Sequence, residues 1–145
     1  MRLIFTLIII LALNFTANGQ FNPGAKQISL ANSDVALAND VFTLFNNPAG
    51  LAQLSWREVG VYYSPAPFGL TELANGYVAY HEPFSFGSIA VGGMTYGFEL
   101  YRESKVLLGY SYNYENIFFA GAAVNYHSFS IRNYGSTGTF YFNLG

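Results

Sequence analysis

The pattern of apolar and polar residues changes twice along the chain. Residues 3–13 are almost entirely apolar, a mixed stretch follows, and from Arg57 onward apolar residues recur at every second position. A period of two indicates β-strands with one apolar face, because successive side chains of a strand point to opposite sides. Short turn signals between these strands favour antiparallel pairing. The pattern therefore predicts a leader, a short middle segment and an antiparallel sheet.

The leader has the features of a secretory signal peptide. Met1 and Arg2 give a positive start, the following run is apolar, and Ala17 and Gly19 place small residues where a signal peptidase cleaves. The sequence thus predicts a signal peptide over residues 1–19, with cleavage before Gln20. A membrane anchor is the less favoured alternative, because the apolar run is shorter than the roughly 20 residues that span a bilayer.

Residues 20–56 form a mixed segment with helical signals. Asn39 and Asp40 can cap a short helix from Val41 to about Phe45, since a side-chain oxygen can accept a free backbone N–H there. Pro48 disfavours helix in the preceding residue and can itself begin a second helical turn through Ala52. We expect a plug-like segment that packs against or inside the sheet. A compact loop that only leads into the first strand is the alternative.

About six strands are predicted over residues 57–145. The fourth is the clearest, because each even position from Val106 to Tyr114 is apolar or aromatic. Turns are expected at Glu115–Asn116 and over the loop Asn133–Gly138. The predicted strands are Glu58–Tyr63, Gly76–Glu82, Ser85–Leu100, Lys105–Glu115, Phe118–His127 and Thr139–Gly145.

A hairpin is predicted between the third and fourth strands, with its turn at Arg102–Ser104. Pairing the two strands so that their apolar even positions share one face fixes the register, because a shift by one residue would separate them. The predicted pairs are Tyr96 with Tyr110, Phe98 with Leu108, and Leu100 with Val106.

Composition changes the interpretation of this sheet. Charged residues make up 10% of the chain and aromatic residues 19%, whereas soluble domains contain roughly 25% charged residues. With so little charge, part of the surface is expected to face something other than water. Strands of about ten residues with alternating apolar positions and tyrosines near their ends are typical of a transmembrane β-barrel. A secreted β-sandwich is the alternative, although it would need a more polar outer surface.

Other classes of protein fit the composition poorly. The net charge of -2 provides no basic patch, which argues against a nucleic-acid partner, and the absence of cysteine excludes disulfides and thiol chemistry.

His81 and His127 are far apart and lack metal-ligand spacing. His127 and Ser128 with Glu99 or Glu115 could be imagined as a hydrolytic set, but nothing in the pattern orients them. We therefore expect no enzyme activity, metal or cofactor.

Three stretches, in this order, resemble the N-terminal signature of FadL-like outer-membrane proteins: Gly24–Ser33, Val35–Asp40 and Asn47–Ala52. They are most similar to the PorV/PorQ branch, which is associated with type IX secretion. Lys26 stands where that branch usually has arginine. The stretch from Tyr112 to Gly145 also looks like a strand of that branch with the pattern TG.G.D.G, in which Asn143 stands where aspartate is usual. The specific part of the resemblance is the motif Asn47, Pro48, Ala49, Gly50, Leu51 and Ala52.

The resemblance implies a β-barrel in the outer membrane of a Gram-negative-type bacterium, with outer-membrane lipid as its surroundings. It implies a channel for hydrophobic small molecules or a secretion component that holds secreted cargo proteins. Because the smallest single-chain barrels have eight strands, about six strands predict a fragment of a barrel, or copies that assemble into one. A truncated or structural fragment without its own activity is a further alternative.

Overall fold

The computed structural model describes residues 23–30, 35–37 and 40–145. They form a six-stranded antiparallel sheet in which each strand pairs with its neighbours in sequence, which confirms the all-β prediction. The sheet is not closed: within the described residues, the first and last strands are its edges. The predicted signal peptide, residues 1–19, lies outside these residues. The strands are β1 (Glu58–Ser64), β2 (Asn75–Phe84), β3 (Gly87–Gly97), β4 (Tyr101–Tyr114), β5 (Phe118–Ile131) and β6 (Gly135–Leu144).

Short helices precede and interrupt the strands. The α-helix α1 (Ala25–Ser29) comes first, followed by the 3-10 helices η1 (Val41–Phe45) and η2 (Pro48–Gln53). Two more 3-10 helices, η3 (Pro67–Gly69) and η4 (Thr71–Leu73), lie in the β1–β2 connection.

The predicted helical turns of the middle segment are present, in 3-10 geometry. A carboxylate oxygen of Asp40 accepts a hydrogen bond from the Phe42 N–H at 3.0 Å. The Asn47 side chain accepts from the Ala49 N–H at 3.2 Å, and Pro48 is the first residue of η2. Both starts use local capping, which sequence alone can indicate. Asn39 lies outside the described residues.

The predicted register of the β3–β4 hairpin is wrong. Leu108 lies opposite Val91, seven residues before the predicted partner Phe98. The chain already turns after Gly97, whose φ of 101° favours glycine and where a Cβ atom would come within 2.2 Å of the Tyr101 carbonyl oxygen. The even positions of β3 and β4 therefore lie on opposite faces of the sheet.

The β5–β6 connection is also shorter than expected. The predicted loop Asn133–Gly138 is wrong in its extent, because β6 begins at Gly135. Asn133 and Gly135 have positive φ values of 67° and 119°, which allow a tight turn. The turn predicted at Glu115–Asn116 is confirmed, and both of its residues have positive φ values as well.

The segment of residues 40–54, which contains η1 and η2, packs on one face of the sheet. We call this the covered face and its opposite the uncovered face. The core between the segment and the sheet is small and apolar. It contains Val41, Leu44, Leu51 and Leu54 from the segment and Ala79, Ala90, Leu107 and Ala123 from the strands.

Glycines on the covered face provide the space for this segment. A Cβ atom on Gly109 would come within 2.6 Å of Leu44 Cδ1, and one on Gly121 would come within 2.4 Å of the Ala49 backbone nitrogen. Gly60 and Gly92 have similarly close contacts with η1. The backbone of the segment can therefore approach the strands closely. That this segment plugs a closed barrel stays a prediction.

Candidate functional site

The uncovered face carries a continuous band of exposed apolar side chains, which we call the apolar band. It consists of two rows of cross-strand neighbours that run through all six strands and contain no charged residue. Exposure reaches 72% at Val61 and 73% at Phe142. The first row is Val59, Tyr80, Val91, Leu108, Val124 and Phe142, and the second is Val61, Val78, Gly93, Val106, Tyr126 and Phe140.

Aromatic residues extend the band toward the β2–β3 and β4–β5 turns. On β4 the exposed apolar positions run from Val106 to Tyr114. At ~3.3 Å per residue this is about 26 Å along the strand, or about 20 Å for a strand tilted by ~40°. Transmembrane barrels have an apolar band of about 25 Å. The height is therefore close to what a bilayer requires.

At its other end the band gives way to polar residues. Ser104 and Arg102 follow Val106 on the uncovered face of β4, and Ser128 and Ser130 lie beside them on β5. The longest connection between strands, residues 65–74, is at this same end, whereas the β2–β3 and β4–β5 turns at the aromatic end are short. The other two connections at this end, residues 98–100 and 132–134, are as short as those turns, so only the β1–β2 connection is long.

One ion pair lies beside the apolar band at the β1–β2 edge. Arg57 Nε is 2.7 Å from a carboxylate oxygen of Glu82, whose other oxygen accepts a hydrogen bond from the Tyr80 hydroxyl. The hydrogen bond to Glu82 raises the pKa of the Arg57 guanidinium. The charge of Arg57 is thus matched by a neighbouring carboxylate.

All six residues of the motif Asn47–Ala52 lie on the covered face. Pro48, Ala49, Gly50 and Leu51 are buried, while Asn47 and Ala52 are half-buried. Helix η2 packs mainly against β4 and β5. A Cβ atom on Gly145 would come within 2.1 Å of Asn47 Oδ1, so the motif also touches the residue that follows β6.

Beyond the 40–54 segment, the covered face carries a polar and aromatic cluster. Glu103 Oε2 is 3.0 Å from His127 Nε2, and the Tyr101 hydroxyl donates to the other carboxylate oxygen of Glu103. The Lys105 ammonium lies 5.7 Å from the centre of the Tyr141 ring. Sequence reasoning missed this cluster because it placed Glu103 in a turn. All of these residues have odd numbers, and this spacing of two could have indicated that those on one strand share a face.

The side chains considered as a hydrolytic set do not come together. Ser128 follows His127 directly in β5, so their side chains point to opposite faces of the sheet. Glu99 pairs with Arg132, and Glu115 lies in the β4–β5 turn. Within residues 23–30, 35–37 and 40–145, no group of three histidines or carboxylates could hold a metal ion.

His81 is fully buried on the covered face. Its Nδ1 atom is 3.0 Å from the Trp56 carbonyl oxygen, so Nδ1 carries the proton as donor. In the described part of the chain, the Nε2 atom of His81 and the Oε2 atom of Glu58, its neighbour on β1, have no hydrogen-bond partner. Among the described residues, these two side chains belong to no group of three histidines or carboxylates that could hold a metal ion.

None of the helices formed by the described residues has the length and apolar character needed to cross a bilayer. Comparisons with protein-family models, curated proteins and solved structures found no match to this chain.

Proposed function

We propose that this chain forms part of an outer-membrane β-barrel, with the apolar band in contact with lipid and the 40–54 segment on the lumen side. The apolar band carries this proposal. Soluble monomers rarely expose a contiguous apolar patch larger than a few hundred Å², whereas this band crosses all six strands without a charge. Lipid is the surrounding that such a face requires.

Closure of the barrel needs partners for both edge strands. A bare strand edge in hydrocarbon leaves backbone N–H and C=O groups unsatisfied, at several kcal/mol for each group. We therefore propose that β1 and β6 each pair with a further antiparallel strand that also alternates apolar and small residues. A longer polypeptide or further copies of the chain can supply those strands.

The finer assignment is a FadL/PorV-like channel or secretion-associated component. It is supported by the resemblance of Asn47–Ala52 and by the burial of that motif on the face that would line the lumen. The cluster around Glu103 and His127 would then line the same lumen beyond the segment. Hydrophobic small molecules would be the cargo of a channel, and exported proteins the partners of a secretion component.

A secreted β-sandwich is the alternative that membrane partitioning tests directly. In a sandwich, a second sheet would cover the apolar band, and the protein would remain in solution. We expect the full chain, expressed with its leader in a Gram-negative host, to sediment with membranes and resist extraction by alkaline carbonate. It should also migrate differently on gels before and after heating, as folded barrels do. Recovery in the supernatant without a heat-dependent shift would contradict the membrane assignment.

Loss of the gene separates the two finer functions. A channel predicts slower uptake of a labelled fatty acid with normal secretion, because the barrel would be the route for apolar molecules. A secretion component predicts normal uptake with loss of exported cargo from the cell surface. If loss of the gene changes neither uptake nor secretion, although the wild-type protein is found in the outer membrane, the remaining assignment is a structural barrel fragment without its own activity.

A further inference from the structure

A polar groove adjoins the apolar band on the uncovered face of β4, β5 and β6. Its volume is about 420 Å³, and Tyr126, a member of the apolar band, forms part of its wall. The groove therefore begins where the band ends. The other residues that line it are Arg102, Ser104, Ser128, Phe129, Ser130, Ser136, Thr137 and Gly138.

Arg102 is the only charged residue in the wall of this groove. Its side chain is exposed, and no salt bridge among the described residues includes it. The nearest carboxylates in sequence are engaged elsewhere: Glu99 pairs with Arg132, and Glu103 binds His127 on the covered face. The groove thus offers a positive charge without a salt bridge beside serine hydroxyls, of which that of Ser128 donates to the Ser104 carbonyl oxygen at 3.5 Å.

This combination suits an anionic phosphate group. The planar guanidinium of arginine binds two phosphate oxygens at once, and neighbouring hydroxyls can donate to the remaining oxygen atoms. A ligand in this groove would also touch Tyr126 and the exposed ring of Phe140 next to it. A ligand with both a phosphate and an apolar chain therefore uses the groove and the band together.

We propose that the Arg102 groove binds the phosphorylated headgroup of an anionic lipid whose acyl chains lie along the apolar band. The site rests on the proposed function, because it requires the band to face lipid. It adds a preference for one lipid class at one end of the barrel, the end with the long β1–β2 connection.

The test compares lipids bound to the full chain by native mass spectrometry. The protein, released from membranes in mild detergent, is offered an equimolar mixture of phosphatidylglycerol and phosphatidylcholine, whose phosphate is balanced by its own cationic choline and so gains less from Arg102. One basic side chain near anionic lipid favours binding by about fivefold, so we expect about fivefold more bound phosphatidylglycerol. Arg102→Gln should abolish this preference, and Arg102→Lys should retain part of it because the charge remains while the paired donors are lost.

Arg57→Gln is the matched control. Arg57 also lies beside the band, but Glu82 already neutralises it, so the variant should keep the wild-type lipid preference. Equal binding of both lipids by a protein that sediments with membranes would overturn the headgroup site alone. Full displacement by inorganic phosphate would show a site for free phosphate and overturn the lipid assignment. Failure to enter membranes would overturn the proposed function and this site with it.

Discussion

Gly121 shows how the lack of one side chain positions the 40–54 segment. The space that a Cβ atom would need on Gly121 is occupied by backbone atoms of Pro48 and Ala49, at 2.4 Å. Backbone atoms cannot move aside as the end of a flexible side chain can. The glycine therefore determines how closely the motif Asn47–Ala52 approaches β5.

We expect Gly121→Ala to lower the free energy of unfolding by about 1–3 kcal/mol, as overpacking in a tight core does. Gly93→Ala is the control, because its Cβ atom would meet Val78 Cγ1 at an ordinary 3.6 Å. Urea unfolding in detergent micelles, followed by circular dichroism, measures both variants. Equal stability of the two variants would mean that the motif does not rest on Gly121.

Local and distant interactions differ in how well the sequence predicts them. The cap at Asp40 involves residues only two positions apart, so its pattern is visible in the sequence. The contact of Gly121 with Pro48 joins residues that are far apart in the chain. Nothing in either stretch alone indicates the other, so only the small character of the strand positions could be predicted.

At the scale of elements, the β3–β4 hairpin provides a direct test of register. The protein has no cysteine, so a disulfide between two introduced cysteines reports one distance. Val91→Cys with Leu108→Cys should form a disulfide under mild oxidation, because these residues lie opposite each other and cross-strand Cα distances of about 4.5–5.5 Å suit that bond.

Phe98→Cys with Leu108→Cys is the control for this prediction. In the observed register, seven residues separate Phe98 from the position opposite Leu108, or about 23 Å along an extended strand. This pair should stay reduced on a non-reducing gel. If the cysteine at position 98, and not the one at position 91, formed a disulfide with position 108, the register predicted from the sequence would be correct and the observed one wrong.

The sequence indicated the two faces of β4 more clearly than those of β3, for a physical reason. In β4 the uncovered positions are large and apolar from Val106 to Tyr114, so the two faces differ clearly. In β3, Ile89 and Val91 lie on one face while Ala90 and Met94 lie on the other, and Gly92 and Gly93 favour neither. Alternation alone therefore could not assign the faces of β3.

At the scale of the molecule, the depth of a charge in the apolar band should decide membrane insertion. Leu108→Arg places a charge in the middle of the uncovered face of β4, whereas Ser104→Arg places it at the polar end of the same strand. We expect a cost of about 2–4 kcal/mol for the first and about 0–1 kcal/mol for the second. The folded fraction in lipid vesicles, read from the heat-dependent gel shift, measures the difference.

The same comparison tests which face meets lipid. Leu107→Arg, one residue away on the covered face, should disrupt packing of the 40–54 segment, because Leu107 is buried in the core. Limited proteolysis of that segment distinguishes this effect from failed insertion. If Leu108→Arg and Ser104→Arg insert equally well, the apolar band does not lie in hydrocarbon.

Alternation predicted the sheet, its count of about six strands and its apolar face, and a count below eight predicted an incomplete barrel. The partners of β1 and β6 could not be predicted, because no local pattern within either strand specifies its partner. The position of the Arg102 groove likewise requires the observed register, which brings Ser130 of β5 opposite Arg102. These features emerge only when the strands are aligned.

The contacts of the motif Asn47–Ala52 join parts of the chain that are far apart in sequence. Each strand pairs with its sequence neighbour, so the hairpins can form early from contacts that are close in the chain. The motif, by contrast, rests on Gly121 and Gly145, which are synthesised long after it. Leu44 and Leu51 therefore have their full core only once β2 to β5 are aligned, so burial of this early segment depends on contacts that are distant in the chain.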